Sequence, residues 1–333
     1  MNGKFLACFG ALLINSTMMQ FNPLMAADGE GIVLDPNTGD YHVTYREPNP
    51  PYTLTTITFI PATKIDPVVK STYSLDEKGL IRYAYRVTNS RASKQLLVKM
   101  LASATRIESA IPNAPAKWSG LVVPSTETGQ VTFGWAYDSN DQPFGLPAGE
   151  TRGGFSVTSF DLPGIGLAKF SAYTRNGPYA DEGPDPGSEV GKKLNDLVLN
   201  DFVTRLAVVP HIGVSSPYEA APVLANIQKH LDTGLVNLKL VDSGLVTELD
   251  RWLVAAVAAA NSGNDKALRA DIHEARQLLK REHEDVDKDD NGDHDDARTT
   301  ETKSRINKLA ARVLDFDLHY VEKRIKGKGS DDR

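Results

Sequence analysis

Residues Arg175–Ser188 read RNGPYADEGPDPGS, with three glycines and three prolines among mostly acidic or small neighbours. A stretch of this kind buries little apolar surface and is expected as a linker or long surface loop. The period of the sequence changes across it. Upstream, apolar residues recur at every second position; downstream they recur at every third and fourth. The chain therefore reads as a multidomain α and β protein. An N-terminal antiparallel β-sandwich is expected over 27–174 and a linker and connecting segment over 175–216. A C-terminal antiparallel helical bundle follows over 217–326.

The upstream reading rests on Ile81–Asn89 (IRYAYRVTN). Ile81, Tyr83, Tyr85 and Val87 share one face, and Arg82, Ala84, Arg86 and Thr88 share the other. Alternation of this kind marks a half-buried antiparallel strand. Asn89–Ser93 supplies a turn before Gln95–Leu101. Val131, Phe133, Trp135 and Tyr137 alternate in the same way, and Phe155, Val157 and Ser159 follow the turn residues Pro147–Glu150. Shorter patterns over Tyr41–Tyr45, Leu54–Phe59 and Gly166–Tyr173 bring the expectation to seven or eight strands, a sandwich of immunoglobulin-like size. Tyr83, Tyr85, Phe133, Trp135 and Phe155 form an aromatic stripe that is expected as core rather than as a carbohydrate-stacking platform.

Three pieces of this half, YSL…GLIRYAYRVTNS, GWAY and LPAGETRGGFSVTSFDLPG, resemble a β-domain that recurs in uncharacterised secreted bacterial proteins. The resemblance covers about Tyr73–Arg175. It implies a sandwich fold and an exported setting, and it brings no active site.

Downstream, Pro222 suits the first turn of a helix carrying Val223, Leu224, Ile227 and Leu231, with Gly234 as its stop. Asp242 or Ser243 caps a second helix with Leu245, Leu249, Trp252, Leu253 and Ala256 on one face. Leu268, Ile272, Ala275 and Leu279 mark a third, and Ile306, Leu309, Val313, Phe316 and Tyr320 a fourth. Four such helices with short connections predict an antiparallel bundle. Gly234–Leu279 (GLVNLKLVDSGLVTELDRWLVAAVAAANSGNDKALRADIHEARQLL) resembles the FIMAH-type helical module appended to extracytoplasmic bacterial enzymes and surface proteins. That resemblance implies an accessory or interaction role and carries over no catalytic residue. This chain departs from the module by inserting a strongly acidic stretch.

The acidic stretch, 284–296 (EDVDKDDNGDHDD), holds eight carboxylates against one lysine. In the frame of an EF-hand loop, Asp287, Asp289 and Asn291 occupy the first three alternating ligand positions. Gly292 stands at the sharp turn, Asp293 offers its carbonyl, and Asp295 acts directly or through water. The twelfth position should be a bidentate Glu but is Arg298, and Glu301 comes three residues late. Two readings stand: a weak Ca²⁺ site, or a solvated acidic loop with no specific ligand. His283 and His294 lie nearby without a cysteine to complete a transition-metal set.

The remaining signals concern setting. Lys4 followed by the ten-residue apolar run Phe5–Ile14 suits a signal peptide over 1–26, cleaved near Ala26. Cys8 is the sole cysteine and lies inside that segment, so both domains are expected to be stable without disulfides. The net charge of −6 argues against general nucleic-acid binding. Residues 327–333 read as a disordered tail. No dinucleotide, phosphate-loop, nucleophile-elbow or zinc-helix signature occurs. The expectation is an exported, periplasmic or secreted, non-catalytic binding, adhesion or envelope-associated protein. Its partners would be extracellular protein or polysaccharide, with no nucleic acid and no transmembrane anchor after cleavage. A secreted carbohydrate-active hydrolase using the helices as accessory module is the alternative, since paired carboxylates need only spatial proximity.

Overall fold

Short β-branched and aromatic runs before Ile60 form a meander in the computed structural model, which describes residues 29–61, 64–124, 129–173, 183–287 and 305–327. β1 (Gly31–Leu34), β2 (Tyr41–Arg46) and β3 (Leu54–Phe59) pair antiparallel in the order β1-β2-β3. Period two places Val43, Tyr45 and Phe59 on one face, where α1 (Glu189–Leu199) covers them with Val190 and Leu194. The Ser188 hydroxyl accepts from the Gly191 N–H at 3.0 Å and so starts that helix. These elements belong to the first of two compact units, Met1–Phe59 with Asn176–Val198.

The second unit is Ile60–Arg175 with Leu199–Arg333. Its strands are β4 (Pro67–Leu75), β5 (Ile81–Asn89), β6 (Leu97–Ala104), β7 (Trp118–Pro124), β8 (Val131–Tyr137), β9 (Thr151–Ser159), β10 (Leu162–Ala172) and β11 (Val203–Ile212). They make two antiparallel sheets, β4-β5-β9 and β11-β10-β6-β8-β7. The inward aromatics join the sheets. Tyr85 and Trp135 ring centroids are 5.4 Å apart, Trp135 and Phe155 5.3 Å, and Trp118 and Phe155 5.2 Å. Their polar ends are satisfied: Trp135 Nε1 donates to Asn113 O at 2.8 Å, Tyr83 Oη to Asp161 O at 2.7 Å and Tyr85 Oη to Val208 O at 2.9 Å. The stripe Tyr83, Tyr85, Phe133, Trp135 and Phe155 is buried throughout, as core.

α2 (Ala220–Lys229) runs into a π-helical turn over His230–Leu235 and is followed by α3 (Ser243–Asn261), α4 (Asp265–Asp287) and α5 (Lys308–Gly327). Asp242 caps α3, its Oδ1 accepting from Leu245 N–H at 2.7 Å. Each of these helices packs on the next, and α5 returns to α2 and to β10. Leu249, Ile272 and Val321 share one continuous apolar core with Tyr83, Trp135 and Phe170. Among the described residues no helix is long and apolar enough to cross a membrane.

The domain boundaries differ from the sequence reading in two places. The segment expected as linker over 175–216 carries α1 and all of β11, an edge strand paired with β10 along nine residue pairs. Ala207–Pro210 are buried, and a strand buried on both faces has no alternation to reveal it. Residues 31–59, expected as part of the sandwich over 27–174, instead belong to the separate unit that α1 completes. The expected signal peptide over 1–26, the Arg298 position and residues 328–333 of the expected tail lie outside the described residues, while Gly327 ends α5.

Candidate functional site

The expected acidic loop begins inside a helix. Residues 284–287 form the last turn of α4, so Asp287 ends that helix. Asp289, Asn291, Asp293 and Asp295 lie outside the described residues, as does His294. Among the described residues, no group of three or more His, Cys, Asp or Glu is placed to hold a metal ion.

What the structure does place is the root of that stretch. Glu282 stands one turn before the end of α4, and Arg305 is the first described residue on the far side. Arg305 Nη1 lies 3.3 Å from Glu282 Oε1, Nη2 2.7 Å from Glu248 Oε1 on α3, and Nε 3.5 Å from the capping carboxylate of Asp242. Backbone bonds lock the same point: Asp242 N–H donates to Arg305 O at 2.9 Å, and Asn307 N–H to Leu240 O at 2.7 Å. The Glu248 hydrogen bond raises the Arg305 guanidinium above its ordinary pKa, and the Leu245 N–H holds Asp242 below the usual carboxylate range. Both ends of a 22-residue segment (283–304) are thus held at the N-terminus of α3.

Three further polar groups sit where α2 to α5 meet the strands or each other. His230 opens the π-helical turn, its ring centroid 4.7 Å from that of His211 at the end of β11. Its Nε2 accepts from Ile165 N–H at 3.2 Å, which places the neutral ring's proton on Nδ1, and Nδ1 has no partner. Burial, then His211, pushes the His230 pKa down to about 4. The fit is tight: a Cβ at Gly234 would stand 2.5 Å from His230 Nδ1, so the turn requires glycine there.

Asp317 on α5 is fully buried, and both of its carboxylate oxygens lack a hydrogen-bond partner. It lies in the field of Tyr73 and Tyr83, a directly opposed pair on β4 and β5, while its neighbour Phe316 meets Tyr73 edge-on at 4.9 Å. Desolvation pushes the Asp317 carboxyl well above its ordinary pKa, so it is a neutral acid when the helix is docked. Desolvation, then Asp317, raises the Tyr73 hydroxyl to about 12.

Between α4 and α5, Arg276 reaches Asp315 Oδ1 at 2.8 Å and Glu322 Oε2 at 2.7 Å, with His319 Nδ1 3.8 Å from the same Glu322 oxygen. Sequence reasoning did not single out any of His230, Asp317 or Arg276. Asp317 alone left a trace, as an acidic residue one position after the apolar Phe316 of the stripe.

No family model matches the chain, and no curated protein matches it. Among solved structures, it is similar to an uncharacterized protein from Nocardia farcinica whose crystal structure is described as revealing an immunoglobulin-like fold. That similarity has 16% identity and a TM-score of 0.26, over 35% of this chain and 90% of that one.

Proposed function

We propose that this chain is an exported, non-catalytic binding or adhesion protein, periplasmic or secreted, in which Ca²⁺ at the acidic stretch stabilises the helices. The observation that supports it is the Arg305 knot: Glu282, Glu248 and Asp242 converge on one guanidinium at the root of the segment. A loop whose ends are already together has less closure entropy left to lose when a cation orders its interior. Eight carboxylates in thirteen residues repel, and a divalent cation relieves that repulsion. On this reading the two-sheet unit is an immunoglobulin-like sandwich, and α2 to α5 form an antiparallel bundle of FIMAH type serving as an interaction module for extracellular protein or polysaccharide.

The test is a thermal melt of the protein in EDTA and then in millimolar Ca²⁺, with Asp287→Ala/Asp289→Ala alongside. At a Kd of about 0.1–1 mM, the range of weak extracellular sites, millimolar Ca²⁺ adds about 0.4–1.4 kcal/mol, a rise of roughly 1–6 °C for a unit of this size. A rise that the double variant loses supports the reading; no rise removes Ca²⁺ from it. A hydrolase screen that found turnover abolished by one carboxylate change would sink the non-catalytic part.

A further inference from the structure

The sheet edges at β9, β4 and β11 in the second unit are covered. Beside β9, Asn113 and Ser156 exchange backbone hydrogen bonds at 2.8 and 3.0 Å, and Glu108 N–H donates to Thr158 O at 2.8 Å. On one face of β7, Gly120 sits so near Pro112 that a Cβ would stand 2.3 Å from the proline carbonyl oxygen. β4 and β11 shield one another: Val208 N–H donates to Ser71 Oγ at 3.2 Å, and Arg205 Nε to Pro67 O at 2.9 Å.

β3 in the first unit has no such cover among the described residues, where it pairs with β2 alone. Glu47 N–H donates to Thr53 O at 2.9 Å, which fixes the phase of the β2–β3 ladder. Residues 55, 57 and 59 therefore turn their N–H and C=O groups toward β2, and Leu54, Thr56 and Thr58 turn theirs outward. The Thr44 and Thr56 hydroxyls meet at 2.9 Å, as expected of a directly opposed, non-hydrogen-bonded pair. Leu54, Thr56 and Thr58 are all exposed.

Edge strands in soluble proteins carry lysine, proline, a bulge or extreme shortness against unwanted pairing. β3 has none of these. Residues 48–63 include no charged side chain, Pro51 and Pro61 lie outside the strand, and its register with β2 is unbroken over six pairs. The opposite edge, β1, is only four residues long.

We propose that the outer edge of β3 pairs antiparallel with β3 of a second copy of this chain, about a two-fold axis through Thr56. Thr56 then exchanges hydrogen bonds with its own counterpart, and Leu54 with Thr58 of the second copy, joining the two meanders into one six-stranded sheet. A second copy fits better than a foreign strand because the outward residues repeat without charge on either side of Thr56, so self-pairing opposes no like charges. Peptide capture by strand addition draws its selectivity from pockets for alternate side chains, and here those positions are two exposed threonines and a leucine.

Sedimentation velocity on the full chain in a Cys8→Ser background, over a concentration series, tests this. A dimer is expected, weakened about tenfold or more by Thr56→Lys, which opposes two like charges on the axis. Thr56→Pro deletes the outward N–H while sparing the β2 ladder, and is expected to abolish pairing. Thr56→Cys should form an intermolecular disulfide under mild oxidation, because hydrogen-bonded antiparallel partners lie within disulfide reach; Val33→Cys on β1 should not. A monomer at every concentration overturns the proposal, as does a dimer that Thr56→Lys and Thr56→Pro leave intact. If either substitution unfolds the protein, the cysteine result decides: cross-linking at position 56 supports the edge, and none overturns it.

Discussion

Asp317→Asn is expected to make the protein more stable as pH rises, and the size of the effect follows from one buried proton. Asp317 is fully buried on α5 with both oxygens unpartnered, and desolvation raises its pKa. The unfolded chain releases this proton near pH 4, whereas the folded chain retains it. A raised folded pKa contributes stability that is complete below the unfolded value and is lost as pH climbs toward the folded one. Across that window the loss is about 1.4 kcal/mol per pH unit. The second unit spans 251 residues (116 from Ile60–Arg175 and 135 from Leu199–Arg333), for which about 1 kcal/mol moves Tm by roughly 2–4 °C. Asparagine cannot ionise. The Tm of Asp317→Asn should therefore approach that of the parent near pH 4 and gain on it as pH rises, by at most ~3–6 °C for each unit until the folded carboxyl ionises. Every other titrating group is common to both proteins and cancels in the difference. The assay is a paired thermal melt at half-unit steps between pH 4 and 7. A Tm difference independent of pH would refute the reasoning. So would one growing in the opposite direction, which would mean that an ionised Asp317 finds a partner.

His230 should act in the opposite sense. Its folded pKa of about 4 lies below the unfolded value near 6.5, so the stability it contributes is present above pH 6.5 and lost as pH falls toward 4. The difference of about 2.5 units amounts to roughly 3 kcal/mol, and the parent should gain about that much on His230→Gln between pH 4 and 6.5; a difference independent of pH would show that the ring is not held neutral. Arg276→Leu leaves Asp315 and Glu322 facing each other without their shared cation, at a site where the arginine is only 15% exposed. The expected cost is about 1.5–3 kcal/mol by urea denaturation, and a value near zero would reduce the clasp to a solvated surface pair.

Much of the strand and helix inventory was legible, because alternation in Ile81–Asn89 and the three-four spacing in Leu268–Leu279 each report one buried face. Where burial is two-sided, that signal vanishes. β11 lies between β10 and the neighbourhood of β4, with four consecutive residues buried from Ala207 to Pro210, and it was hidden in a segment whose preceding Gly/Pro run announced a linker. The Gly/Pro run itself stands just before α1, which covers a sheet that ended 130 residues earlier at Phe59. Local composition cannot signal a partner so far away in sequence.

The polar groups were harder for a related reason. Asp317 and His230 are ordinary residues by type, and they become unusual only through what three-dimensional packing takes away: water from the carboxyl, and a donor or acceptor from Nδ1. Each lies where a helical element meets a strand, Asp317 over Tyr73 and Tyr83, His230 against Ile165 and His211. They charge in opposite directions along the pH scale, the carboxyl by losing its proton as pH rises and the imidazole by gaining one as pH falls. Both charging events oppose the same docked state of helices on strands. Between about pH 4 and 6.5 the two linkages run in opposite directions and offset one another, so their joint contribution to the second unit is level there and falls above pH 6.5, where Asp317 alone still acts. Asp317→Asn should therefore uncover the His230 rise between pH 4 and 6.5, and His230→Gln should uncover the Asp317 fall from about pH 4 upward.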